Sequence, residues 1–187
     1  HPRVRRQRQM CIRDSDGRLI ATDLDDDAIA AAESRLSDFS GRYRIYKSNF
    51  KDFASVLERE GVDELDGVML DFGVSSFQLD EVSRGFSYMQ DAPLDMRMDE
   101  SAAFTAADVV NGYSREQLCR ILRDYGEERF ANRIAENIVR VRADHRIERT
   151  GELAQIAEES IPAKFRHNGP CARKTFQAIR IEVNGEL

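Results

Sequence analysis

Asp71 ends an apolar run, Gly67-Val68-Met69-Leu70, and opens into a loop that carries Gly73, Ser75, Ser76, Gln78 and Asp80. A buried strand that delivers a carboxylate and a polar loop to the carboxyl edge of a sheet brings them to the place where open α/β folds bind their ligands. The stretch therefore reads as an active-site address. Asp23 ends a second such run, Gly17 to Asp23, and is followed by Leu24 and the acidic triplet Asp25, Asp26 and Asp27. A carboxylate offers two acceptor oxygens and a vicinal diol two donors, so an acid just past a strand suits the hydroxyls of a ribose. A helix cap surrounded by solvated acids is the other reading of these residues.

The elements that would position those acids follow from pattern. Gly17 to Asp23 reads as a strand, and Asp25 or Asp26 is placed to cap an alanine-rich helix that runs through Ile29 to Leu36. Tyr43 to Ser48 reads as a strand, Ala54 to Arg59 as a short helix, and Gly67 to Asp71 as a third strand. Strands alternating with helices imply a parallel sheet. The loop from Phe72 to Arg97 is long for such a unit, which marks it as functional. Within it, Arg97 is flanked by Asp95 and Asp99, so an internal salt bridge competes with an outside anion for that guanidinium.

Beyond about Ser101 the texture is helical. Ser114 and Gln117 form a capping box ahead of Leu118, Ile121 and Leu122, and Phe130, Ile134, Ile138 and Val141 mark one face of a longer helix. Leu153, Ile156, Ala157 and Ile161 make a third stripe, ended by Pro162. Phe176, Ile179, Val183 and Leu187 recur at helical spacing, so the pattern predicts a helix running to the end of the chain without a glycine C-cap.

Composition excludes several classes. The 187 residues are 41% hydrophobic and 33% charged, enough for one core with an appended subdomain, and no stretch resembles a membrane span. The expectation is a soluble intracellular, cytoplasmic protein. Cys11, Cys119 and Cys171 lie far apart, and His1, His145 and His167 lack metal-ligand spacing, so neither a disulfide framework nor a metal site is expected. The net charge of -6 argues against a generally basic coat, yet no acid falls between Ser160 and Ile181, where Lys164, Arg166, Arg173, Lys174 and Arg180 cluster. That segment suits a phosphate backbone, or is a solvated helix end and loop. The first fifteen residues carry several arginines without apolar periodicity, as a basic arm, a targeting peptide or foreign sequence would.

Five segments in order carry a resemblance: Asp71-Phe72-Gly73-Val74-Ser75-Ser76 with Gln78-Leu79-Asp80, Arg84-Gly85-Phe86-Ser87, Pro93 to Asp99, Tyr125 to Ala131, and Arg173 to Asn184. Together they are similar to the bacterial ribosomal RNA small subunit methyltransferase H family, over Gly17 to Leu187. The resemblance implies an α/β fold: a Rossmann-like S-adenosylmethionine-dependent methyltransferase sheet, incomplete here, with an inserted small all-α domain. It implies N4-methylation of a decoding-centre cytidine (cytidine 1402) of 16S rRNA in the small ribosomal subunit. Matched residue by residue, the cofactor positions are Asp23 for the ribose hydroxyls, Phe50 beside the adenine, and Asp71 and Gln78 near the methionine end.

Methyl transfer to an exocyclic amine needs an acceptor that holds an amine hydrogen and steers the lone pair, and Asp71 is the acid placed for it or for seating the cofactor. Phe72 or Phe77 would stack on an extruded base. Arg173, Lys174 and Arg180 are the RNA-binding candidates. Family members have a strand and glycine-rich turn before the equivalent of Gly17 and further strands after that of Leu187, so the chain reads as an internal fragment, truncated and of doubtful activity, with residues 1–15 foreign. The expected organisation is a partial methyltransferase domain over 16–100, a helical insertion over 101–172 and the start of a return helix over 173–187. The alternative is a noncatalytic RNA-binding module. An NAD-type dehydrogenase shares the acid-tipped strand but explains neither the Asp71 loop nor the inserted helices.

Overall fold

The computed structural model describes residues 16–70, 73–168 and 171–187. Residues 1–15, with His1 and Cys11, and the Asp71 and Phe72 assignments lie outside the described residues, as do the side chains of Ser76, Phe77 and His167. The chain divides into two compact units, His1–Leu70 and Asp71–Leu187.

In the first unit, β1 (Leu19–Asp23) pairs in parallel with β2 (Tyr43–Lys47), in a register that runs from Leu19 opposite Tyr43 to Asp23 opposite Lys47. The connection between them contains α1 (Asp26–Leu36), as a parallel crossover requires. Asp25 caps α1: its carboxylate accepts from the amides of Asp27 at 3.0 Å and Ala28 at 3.5 Å. Asp26 and Asp27 in the first turn and Arg35 in the last complement the helix dipole. A single-turn 3-10 helix, Phe50–Asp52, leads into α2 (Phe53–Glu60), which stops where Gly61 turns left-handed at φ 65°.

The expected third strand is corrected by the structure. Gly67 to Leu70 form no strand, and Val68, Met69 and Leu70 are 66%, 44% and 58% exposed. An apolar run specifies a wish to be buried, but a strand also needs a neighbour to accept and donate its backbone hydrogen bonds. The described sheet holds β1 and β2 alone, and neither is joined to this run.

The described part of the second unit is helical. The expected long loop contains α3 (Ser76–Asp80) and a 3-10 turn, Val82–Arg84. Then come α4 (Ala106–Gly112), α5 (Arg115–Asp124), α6 (Ala131–Arg142), α7 (Thr150–Ser160) and α8 (Arg173–Asn184), with a 3-10 segment, Ala163–Asn168, between the last two. Each helix buries one face: Leu118, Ile121 and Leu122 on α5, Ile134 and Ile138 on α6, Leu153 and Ala157 on α7, Phe176 and Ile179 on α8. The stripes interlock because α5 packs on α6 and α8, α6 on α7, and α4 on both α8 and α6. Ser114 and Gln117 form the expected reciprocal capping box.

The end of α8 differs from expectation. Gly185 adopts φ 57° and its amide reaches the Ile181 carbonyl, so a left-handed glycine C-cap closes the helix. Spacing of apolar residues alone hides such a stop, because Leu187 falls in phase with the stripe although it is 85% exposed.

Candidate functional site

Parallel pairing brings Asp23 and Phe50 to one edge of the first unit. Both strands end there, and the Ser48 amide donates to the Asp23 carbonyl at 3.0 Å, tying the chain after β2 to the tip of β1. The Asp23 side chain belongs to an exposed residue and accepts from the Asp25 amide at 3.0 Å in an Asx-type turn. Phe50 is half-buried and begins its 3-10 turn, which Asn49 caps by accepting from the Lys51 amide at 3.1 Å. Lys47, the register partner of Asp23, bonds to Asp26 at 2.8 Å.

Gln78 belongs to the second unit. It is 4% exposed, and its side-chain oxygen accepts from the Ser75 amide at 2.9 Å while the Ser75 hydroxyl accepts from the Gln78 amide at 3.1 Å. This reciprocal box nucleates α3, which is too short to hold itself by propensity. Gln78 therefore shapes the loop that follows Asp71, whatever else its amide nitrogen does.

The loop from Arg84 to Met98 is held by buried polar contacts. Arg84 is 7% exposed and donates to the carbonyls of Arg97 at 3.0 Å and Met98 at 3.1 Å, with its Nε 3.1 Å from a Glu100 oxygen. Arg97 grips Asp95 through Nε at 2.8 Å and a terminal nitrogen at 2.7 Å, so the internal ion pair is the one formed. Burial pushes the Asp95 carboxyl up, but the hydrogen bonds and charge of Arg97 outweigh it and hold it below the usual range. Met96, fully buried, sits in the left-handed region at φ 62°, and Asn184 of α8 pins it by donating to the Met96 carbonyl at 2.8 Å and accepting from the Met98 amide at 2.7 Å. Nothing in the local sequence pattern points to Arg84 or Asn184; their partners lie in other segments of the chain.

The basic residues of α8 separate. Arg173 is exposed at the first position of the helix. Lys174 donates to the Glu127 carbonyl at 2.8 Å. Arg180 is forked onto Glu186, at 2.8 and 2.9 Å, with side-chain exposures of only 19% and 11%. The absence of acids between Ser160 and Ile181 does not extend to Glu186, five residues further on, which the helix end folds back on Arg180.

Among the described residues no group of three or more histidines, cysteines and acids is placed to hold a metal ion, and no helix is long and apolar enough to cross a membrane. His145 contacts Glu152, and neither Cys119 nor Cys171 takes part in a disulfide among the described residues.

A parallel βαβ unit of this kind is the building block of Rossmann-like α/β folds. The chain belongs to the MraW methylase family, whose model matches residues 8–187 and so takes in part of the arginine-rich start. It is 53% identical over 171 residues to the ribosomal RNA small subunit methyltransferase H of Clostridium botulinum (strain Loch Maree), covering 91% of this chain and 55% of that protein. Against the protein of that name from Clostridioides difficile it is 54% identical over 172 residues, with coverage of 91% and 55%. For the one from Finegoldia magna the figures are 48% over 182 residues, 96% and 58%. The chain thus spans little more than half the length of these relatives.

Proposed function

We propose that the protein to which this chain belongs is a cytoplasmic S-adenosylmethionine-dependent methyltransferase acting on the exocyclic N4 amine of a decoding-centre cytidine of 16S rRNA. The observation that carries the reading is the βαβ unit with Asp23 and Phe50 on one edge, in a chain that belongs to a methylase family. On this reading β1 and β2 are two strands of a Rossmann-like sheet, the helices over 101–172 are an insertion, and residues 173–187 are the start of a return helix.

The chemistry of the donor set fits the cofactor. The Asp23 carboxylate accepts from the Asp25 amide and is of the acceptor type that a vicinal diol's two donors need, and the half-buried Phe50 ring has the flat apolar face that a purine covers. When bound, S-adenosylmethionine supplies an electrophilic methyl group. Asp71 accepts a hydrogen of the cytosine amine, aligns its lone pair and takes up the positive charge that develops on nitrogen, while Gln78 and the Ser75 box hold the loop carrying it. Arg173 and Lys174 meet phosphates; Arg180, forked onto Glu186, steadies the end of α8.

The test is calorimetric titration with S-adenosylmethionine. Asp23→Ala should weaken binding about tenfold to a hundredfold, the loss of hydrogen bonds worth about 1–3 kcal/mol. An unchanged Kd rejects the ribose role. Full methylation of small ribosomal subunits by Asp71→Ala would remove the catalytic assignment, and RNA binding with no cofactor heat would favour a noncatalytic RNA-binding module.

A further inference from the structure

We propose that Arg129, Phe130, Lys164 and Phe165 form a platform on which an unpaired RNA base stacks, with Lys174 and Arg173 meeting the adjoining phosphates. The inference rests on the RNA-methyltransferase reading for its choice of polymer, and on the surface itself for its location, which lies within the second unit and away from Asp71 and Gln78 in sequence.

Phe130 is the N-cap position of α6, and Phe165 belongs to the 3-10 segment after α7. Their ring centroids are 5.4 Å apart. The Arg129 guanidinium carbon lies 4.9 Å from the Phe165 centroid and 5.6 Å from that of Phe130, and the Lys164 ammonium lies 5.0 Å from Phe165. Significant cation–π contacts occur about once per 70–80 residues, so three on two neighbouring rings is a concentration. Both cations are exposed and both rings half-buried. Among the described residues neither Arg129 nor Lys164 has a carboxylate partner, unlike Arg97 or Arg180, whose charges are answered within the fold.

Of the two acids before Arg129, Glu127 is exposed and Glu128 is turned away. Glu128, next to Arg129, is 6% exposed and its carboxylate accepts from the Phe130 amide at 2.9 Å, which withdraws a negative charge from the surface. Lys174 is tied to the Glu127 carbonyl, two residues from Arg129, and since a residue spans at most about 3.6 Å its ammonium lies within roughly 10 Å of the Arg129 backbone. One of its three hydrogens serves that bond, so others can meet a phosphate. A planar guanidinium over an aromatic ring, rimmed by ammonium groups, is the chemistry that holds single-stranded RNA: bases stack on aromatic or arginine planes and cations track the backbone. Stacking demands no particular base, so the platform would position an RNA strand without reading its sequence.

The probe is a short unstructured RNA carrying a 2-aminopurine, whose emission falls on stacking, titrated into the full chain at several salt concentrations. Phe165→Leu should weaken binding about tenfold and abolish the quenching without changing the salt slope. Arg129→Gln, which leaves the rings in place, should also reduce the quenching. Arg173→Gln with Lys174→Gln should keep the quenching and flatten the slope by about 0.7 for each phosphate no longer neutralised. RNA binding that survives Phe165→Leu and Arg129→Gln within twofold, quenching intact, overturns the platform but leaves the RNA reading standing. A chain that binds no RNA, or binds anionic vesicles in its place, overturns both.

Discussion

Tyr113 shows how one side chain records its surroundings. Its hydroxyl donates to Glu182 of α8 at 2.5 Å, and burial, followed by that hydrogen bond and the carboxylate's charge, pushes the phenol up to about 12. At pH values below 10.0, the ordinary value, both folded and unfolded chains keep the proton. Between 10.0 and about 12 the unfolded chain releases it while the folded chain does not, so stability falls as pH rises through that window. Tyr113→Phe should be less stable than the parent near neutral pH by about 1 kcal/mol, the net worth of a hydrogen bond, and the gap should close as pH rises through the window. Urea midpoints of the two proteins against pH measure it; a gap that stays constant would show that the phenol titrates normally.

Elements in the second unit meet through small residues at the places where backbones touch. A Cβ on Gly126 would lie 2.5 Å from the Lys174 carbonyl oxygen and 2.8 Å from that of Leu122, so α8 could not stay where it packs against the end of α5. Gly126→Ala should destabilise the chain by about 1–3 kcal/mol, the range for forced overpacking. Gly112, the last residue of α4, has nothing within 4 Å of the place a Cβ would take, and Gly112→Ala should be neutral or stabilising by up to about 1 kcal/mol. Denaturation of both variants checks the pair, and equal effects would mean that backbone approach is not what sets the α5–α8 contact. Asn184 does the same work by hydrogen bonding, since its amide bridges the carbonyl of Met96 and the amide of Met98 across from α8.

At the scale of the whole molecule, burial is uneven. Among the described residues, fully buried side chains such as Met96, Leu118, Ile134, Leu153 and Ile179 lie in the second unit, whereas the buried apolar residues of the first are Leu36 and Val56. Opening free energies follow buried contact, so amide exchange should be slowest in α5, α6 and α8 and clearly faster in β1 and β2. Hydrogen exchange resolved by residue tests this. Strand amides protected as strongly as those of Ile134 and Ile138 would show that the two units open together.

Legibility in the sequence followed the range of the interaction. The Asp25 cap, the Ser114–Gln117 box, the stripe through Ile134 and Ile138 and the strands around Asp23 and Tyr46 depend on residues a few positions apart, and spacing revealed them. The order of the five motif segments was enough to point to a family, because it samples the whole chain. Tertiary structure decided what depends on distant partners or on a backbone angle. Gly67 to Leu70 have the composition of a strand without a ladder neighbour, and Gly185 ends α8 by turning left-handed although Leu187 keeps the helical phase. Arg180 sits in a run without acids, yet the chain folds Glu186 onto it, while Arg129 and Phe165, far apart in sequence, met only when α6 and α7 packed. A sequence states which groups want water, a cap or a charge; the packed chain alone determines which of them have already found one.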